Sequence, residues 1–379
     1  MPVSPAMAED LAAAITVLYE DAERSIIERL RTALEQGIDS PLWAEIKLRS
    51  IGDLREAVEE VTEALQQDAN GAVAAALATA YGRGRQAAVA ELGALDVGRV
   101  LHAQRVLPNA PSVDRLAASY ARDTRPLYVR ITRAVVDTYR SIVTRVASGP
   151  LLGTVTRRQA SQRALDQFAA RGVTGFVDRS GRSWELASYA EMAVRSVTAR
   201  AAIEGHIDAL AEIDVGLVIV SDAPLECPLC ERWEGEILTL SGQSGPHTIR
   251  AEHTIQPSGL LAPTRTVAVH VAGSLVEARA AGLFHPNCRH SLSAYLPGVT
   301  ARPPRHATPG TTYEDTQRQR EIERHIRRWK RTQAAAMDEA ARRRAGAYVR
   351  KWQAAQREHV DAHPDLRRKP AREQIGSAR

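Results

Sequence analysis

Two short segments hold every cysteine of the chain: Cys227-Pro-Leu-Cys230 and His285-Pro-Asn-Cys288-Arg-His290. A C-x2-C turn brings two thiolates to one side, where both can approach a single ion at about 2.3 Å. A second pair of donors from a distant segment completes a tetrahedron and ties two ends of a module together. Cys288 and His290 are suited to be that pair, because residues two apart on an extended chain project to one face while Arg289 points away. His285 competes for the fourth position. Preceding Pro286, it is held in an extended or turn conformation and can instead orient the loop by a hydrogen bond. Four protein ligands leave no open position for an activated water, so the cofactor expected is a structural Zn2+ ion. The alternative is three reduced, metal-free thiols in the core of a module whose strands hold together unaided.

Other chemistry is less well supplied. Glu252-His253 faintly resembles the opening of an HNH nuclease motif. The candidates to complete it, Asn287 and His290, stand only three residues apart, too close for the strand–helix geometry of that motif. A serine protease needs a strained nucleophile beside a base held by a carboxylate. No Gly-x-Ser-x-Gly elbow occurs, and Gly242-Gln-Ser-Gly245 reads as a loop. Cys227 or Cys230 could act as nucleophile only if metal did not occupy the thiolate. Gly82-Arg-Gly84 lacks the strand and helix context of a phosphate-cradling loop.

The elements that must position the donors read as mainly α with a small α+β module. Leu11, Ile15, Leu18, Ala22, Ile26, Leu30 and Leu34 recur at steps of three and four, an amphipathic stripe that Gly37 closes. Leu54, Val58, Val61 and Leu65 repeat it. The alanine-rich stretch 72–92 continues it, with Gly82 and Gly84 weakening the helix by about 1 kcal/mol each. After a break at 108–111, Tyr128, Ile131, Val135, Tyr139, Ile142 and Val146 mark another helix, ended by Gly149-Pro150. A helix over 156–170, a polar turn at 178–182, and a helix capped by Ser188 with Glu191 follow. From about residue 214 the pattern changes to short strands at 215–220, 235–240, 265–271 and 291–296, with a short helix at 274–281. The resulting division is an extended helical N-terminal region (1–107), a second helical region (108–212), a compact zinc-knuckle-like α+β domain (213–300), and a proline linker with a basic C-terminal helix (301–379). The last 20 residues read as loose.

Charge is distributed unevenly. Of the 50 Lys/Arg and 45 Asp/Glu, 20 and 10 lie in residues 301–379, which makes that stretch net +10 and the remainder net −5. Arg320, Arg324, Arg327 and Arg331 recur at four, three and four, one stripe along a helix, with Ile322, Ile326, Trp329 and Met337 on another side. Such a stripe can offer guanidinium groups to the phosphates of double-stranded DNA without reading sequence. The alternative is a solvated face with pairs such as Glu323–Arg327, worth a few tenths of a kcal/mol. The N-terminal residues lack the basic and apolar regions of a signal peptide, and no apolar run approaches the roughly 20 residues of a membrane span. Cytoplasmic synthesis and no membrane partner are therefore expected, and an odd cysteine count in a reducing compartment argues against a disulfide framework.

Several stretches together resemble the minor capsid proteins of tailed bacteriophages, in the wider Mu F-like group of head morphogenesis proteins. They are Asp178-Arg-Ser-Gly-Arg-Ser-Trp184, Tyr189-Ala-Glu-Met-Ala-Val-Arg195, Leu217-Val-Ile-Val-Ser-Asp222, Trp233-Glu-Gly-Glu236 and both cysteine segments. Residues 313–330 are similar to the C-terminal helix of that family. The resemblance implies a low-copy, non-enzymatic protein of the capsid interior that associates with the portal, contacts major capsid or scaffolding protein, and serves head assembly or DNA packaging. It also implies that cysteine often stands in relatives where His290 stands here, a ligand-for-ligand exchange that favours His290 over His285. An assembly-linked hydrolase, either maturation protease or HNH-like nuclease, is the other class of function to be weighed.

Overall fold

The structure, a computed structural model, describes residues 7, 9–92, 110–148, 156–172, 174–177, 183–222, 228–256, 263–285, 288–302 and 310–375. The chain forms two compact units, each drawn from three separate stretches. Unit 1 comprises Met1–Ala12, Val73–Ser119 and Met192–Pro309, and unit 2 comprises Ala13–Ala72, Tyr120–Glu191 and Gly310–Arg379. Helices α1 (Glu9–Glu35), α2 (Trp43–Arg49), α3 (Ile51–Leu92), α4 (Pro111–Ser148) and α5 (Arg157–Arg171) come first. A β1–β2 hairpin (Thr174–Val177, Ser183–Glu185) then leads into α6 (Leu186–Ala211). The turn expected at 178–182 lies outside the described residues. None of the described helices is long and apolar enough to cross a membrane.

In unit 2 the α1 stripe buries Ile15, Ile26, Leu30 and Leu34, with Tyr139 and Ile142 of α4 and Leu165 of α5 also fully enclosed. Three buried phenols join α1 to α4: Tyr19 Oη lies 2.6 Å from Tyr120 Oη and 2.8 Å from Tyr128 Oη. Burial pushes all three phenols above the ordinary tyrosine range, so they remain neutral hydrogen-bonding groups. Thr156 caps α5 with a full capping box from Gln159. Ser188 does not cap α6. The helix starts at Leu186, directly after β2, and the Ser188 hydroxyl instead bonds Glu185 at 3.4 Å.

The C-terminal segment corrects the single basic helix expected there. It is a helical hairpin of α9 (Tyr313–Ala334) and α10 (Glu339–Ala362), broken at 335–338. Ala335, Ala336 and Met337 are buried at the break, the Met337 amide donates to Gln162 Oε1 at 2.6 Å, and Asp338 turns extended to cap α10. Ring stacks at 4.0 Å, His325 on Trp352 and Trp329 on Tyr348, staple the two helices. Nor is the end loose through residue 375: Leu366 is buried, and a 3-10 turn (Pro370–Glu373) presents Glu373 to Arg368 in a two-bond pair at 2.6 and 2.7 Å.

Unit 1 begins from a close crossing of α3 and α6. A Cβ on Gly84 would lie 1.8 Å from the Ala202 carbonyl oxygen, and one on Gly205 2.1 Å from that of Tyr81. The obstructing atoms are backbone, so no rotamer relieves them. The glycine that weakens the α3 helix locally is what lets the helices touch. Around the crossing, Arg85 makes a two-bond pair with Glu212 at 2.7 Å, and Tyr81 donates to Asp208 at 2.8 Å. Gly84→Ala is expected to destabilise by about 1–3 kcal/mol through overpacking. Gly82→Ala, with nothing within 4 Å, is expected to stabilise by about 0.5–1 kcal/mol. Thermal melts of both variants test this, and shifts of the same sign would contradict it.

Beside the crossing lies a four-stranded sheet of order β7-β4-β3-β8. Strand β3 (Leu217–Val220) pairs antiparallel with β4 (Ile237–Thr239) and β8 (Leu292–Ala294), while β7 (Gly273–Ser274) runs parallel to β4. A short helix α7 (Pro228–Glu231) follows β3, and α8 (Leu275–Ala280), capped by Ser274, follows β7. The β5–β6 ribbon (His247–Glu252, Thr266–Val271) packs Val269 and Val271 with Leu217, Ile219 and Ile237 into one apolar cluster. Strand β5 occupies sequence next to the expected 242–245 loop and carries only moderate apolar alternation. Glu91 of α3 accepts from the Ala294 amide at 2.9 Å and meets His206 at 3.1 Å, tying the helices to strand β8.

Candidate metal centre

The antiparallel pairing of β3 with β4 and β8 sets Val220, the last residue of β3, beside the first residues of both neighbours. Its partners are Leu292 in β8 and, through two backbone hydrogen bonds with Gly235 and Glu236, the turn before β4. Whatever follows β3 must therefore meet whatever precedes β4 and β8. The α7 turn after β3 carries Cys230, the turn before β4 carries Glu234, and the segment before β8 carries Cys288 and His290. Ser221 and Ser291 lock this end with bonds of 3.0 and 2.9 Å.

Here Cys230, Cys288 and His290 converge, with their ligand atoms all within 4.8 Å of one another. The sulfurs of Cys230 and Cys288 are 3.6 Å apart, and Cys288 Sγ is 3.3 Å from His290 Nδ1. Neither cysteine is in a disulfide. A tetrahedral ion with metal–sulfur and metal–nitrogen bonds of about 2.3 and 2.0 Å would set edges of about 3.8 Å (S to S) and about 3.5 Å (S to N). The two edges that meet at Cys288 fall just inside these values, and with all three ligand atoms within 4.8 Å the donors are close enough to hold a metal. Electrostatics favour a thiolate at one of the donors. The hydrogen bond from Cys230, helped by His290 and opposed by burial, pushes the Cys288 thiol down to about 4, which makes it a thiolate at neutral pH. Burial pulls His290 down, but its bonds to Cys288 and Glu234 outweigh this and leave its pKa raised. His290 is 2% exposed, and its Nε2 lies 2.5 Å from Glu234 Oε1.

The other expected ligands fare differently. Cys227 lies outside the described residues. His285 is half-buried and accepts the Cys288 amide through its carbonyl at 2.9 Å, a loop-orienting bond, but its ring is not among the three converging donors. Glu234 was marked in the sequence only as part of Trp233-Glu-Gly-Glu236. No spacing rule connects it to His290, because the link runs through strand pairing. Of the residues weighed for a nuclease, Asn287 lies outside the described residues, and His253 accepts the Ile255 amide at Nδ1, which fixes its ring against the turn.

The four arginines of the C-terminal segment do not form one outward stripe. Arg331 is 1% exposed and enclosed in unit 2, with Nη2 2.9 Å from Glu185, Nη1 3.6 Å from Glu23, and Nε donating to the Ala169 carbonyl at 3.1 Å. Gly172, at φ +74, closes this cage: a Cβ there would lie 2.7 Å from Glu23 Oε1. Arg327 is 6% exposed and donates to the Arg372 carbonyl at 2.6 Å and to Ser188 at 3.2 Å. Arg320 is half-buried, and Arg324 faces solvent. The expectation of four phosphate-facing guanidiniums is corrected at Arg327 and Arg331, whose hydrogen-bonding capacity is turned into the protein.

Comparison with known proteins meets this picture from outside. No solved structure matches the chain. A protein described as "Structural protein" from Lactococcus phage LL-H is 23% identical over 256 residues, covering 64% of each chain, so the match spans a little under two thirds of that relative's length. The family model for "Phage minor capsid protein 2" matches residues 3–361, nearly end to end across both units, and on that match the chain belongs to the phage minor capsid protein 2 family.

Proposed function

We propose that the protein is a structural, non-enzymatic component of a tailed-phage head. It acts in few copies inside the capsid near the portal, after synthesis in the host cytoplasm. The observation that carries this reading is the family match over residues 3–361. The partners proposed are portal protein and major capsid or scaffolding protein. Within unit 1, a Zn2+ ion held by Cys227, Cys230, Cys288 and His290, with His285 the competing fourth donor, clamps the strand ends into a rigid docking piece. Support for zinc comes from two cysteine sulfurs and an imidazole already gathered within 4.8 Å of one another. A structural role is favoured over hydrolysis because a four-ligand thiolate-rich site offers no open position to water. Contact with packaged DNA, if made by the C-terminal hairpin, falls to Arg320 and Arg324 rather than to the enclosed Arg327 and Arg331.

Quantitative mass spectrometry of purified procapsids and virions, combined with cross-linking, tests the placement. A few copies per particle, cross-linked to portal protein, are expected. Absence from both particles, or abundance equal to the major capsid protein, overturns it.

A further inference from the structure

We infer that Glu234 is a positioning residue for the metal, holding His290 in the tautomer that presents Nδ1 to the ion. This rests on the metal reading proposed above and adds to it a residue outside the ligand set. An ionised carboxylate only accepts hydrogen bonds, so the 2.5 Å contact between Glu234 Oε1 and His290 Nε2 requires the proton on Nε2. The lone pair of a neutral ring is then on Nδ1, the atom that lies 3.3 Å from Cys288 Sγ. Carboxylate acceptors behind metal-bound histidines fix ring orientation and raise ligand basicity in this way.

Two further observations fit the assignment. Glu234 and His290 are 8% and 2% exposed, so water does not compete for the bond. Glu234 also sits in a turn whose shape is set by the sheet: Gly235 takes φ +68, and its amide donates to the Val220 carbonyl at 3.1 Å. The strand pairing that gathers the ligands thus also aims the carboxylate at the ring from behind. The Glu234 carboxylate is not itself among the converging donors, which places it outside the ligand set.

The test uses the full-length protein and zinc alone, titrated against a chromophoric chelator, for wild type, Glu234→Gln, Glu234→Ala and Glu236→Gln. Zinc affinity is expected to fall about 10–100-fold in both Glu234 variants and to stay unchanged in Glu236→Gln. The ligand-field bands of cobalt-loaded protein are expected to shift only in the Glu234 variants, and their melting midpoint is expected to fall further with zinc bound than without it. If wild type binds no zinc, the metal reading itself falls and this inference with it. If wild type binds and the Glu234 variants match it in affinity and spectrum, the inference fails alone. Equal loss of stability with and without metal, at unchanged affinity, would make Glu234 a fold residue and also overturn it.

Discussion

Arg331→Ala is expected to destabilise unit 2 by about 3–5 kcal/mol, because it leaves the enclosed Glu23 carboxylate and the half-buried Glu185 carboxylate without their cation. For a unit of this size that corresponds to a fall in melting midpoint on the order of 10 °C. Arg331→Lys is expected to recover only part of the loss. A point-charge ammonium cannot reach Glu185, Glu23 and the Ala169 carbonyl at once as the planar guanidinium does. Arg324→Ala, on the solvent side of the same helix, is expected to leave the midpoint within about 1 °C, as for a surface substitution worth under 0.5 kcal/mol. Differential scanning calorimetry of the three variants checks this, and a wild-type-like melt for Arg331→Ala would return that residue to the surface. One practical consequence is that deleting residues 301–379 to probe DNA binding would also strip the core of unit 2. Charge reversal at Arg324 is the cleaner probe.

The second large effect concerns the metal. Wild type is expected to carry one zinc per chain, and Cys288→Ser to carry none, since a serine hydroxyl does not replace a thiolate whose pKa is pushed down to about 4. With zinc about 1,000-fold above its dissociation constant, the bound ion contributes about 4.1 kcal/mol, on the order of 10 °C in the melting midpoint. A chelator should remove that increment from wild type and do nothing to Cys288→Ser. Elemental analysis together with melts in the presence of chelator tests both statements. A chelator-insensitive wild type would leave the three donors as a thiolate–imidazolium cluster that serves packing alone.

Much of the candidate site was legible because it depends on residue type. Every cysteine lies in one α+β stretch, and the donors at 230, 288 and 290 meet as their spacing suggests. Glu234 was not legible, since its link to His290 crosses 56 residues and exists only through the β3–β4 and β3–β8 pairings. The burial of the tail arginines was not legible for a related reason. A step of four, three and four shows that four arginines share a helix face, but says nothing of whether that face meets water or carboxylates. Gly84 shows the same limit with the opposite sign: helix propensity registers its local cost, whereas the crossing with Ala202 shows its use.

Local pattern alone therefore determined most of the helices, strands β3, β4, β6 and β8 and the stock of metal donors, because each is set by neighbours within a few residues. Tertiary structure decided which charges are interior, where the C-terminal helix breaks, and how three separate stretches interleave in each unit. The physical reason is that a buried charge needs a compensating group and a bare stretch of backbone needs a close-packed neighbour, and at these positions both arrive from far along the chain. Glu23 and Glu185 for Arg331, and Ala202 against Gly84, are such arrivals.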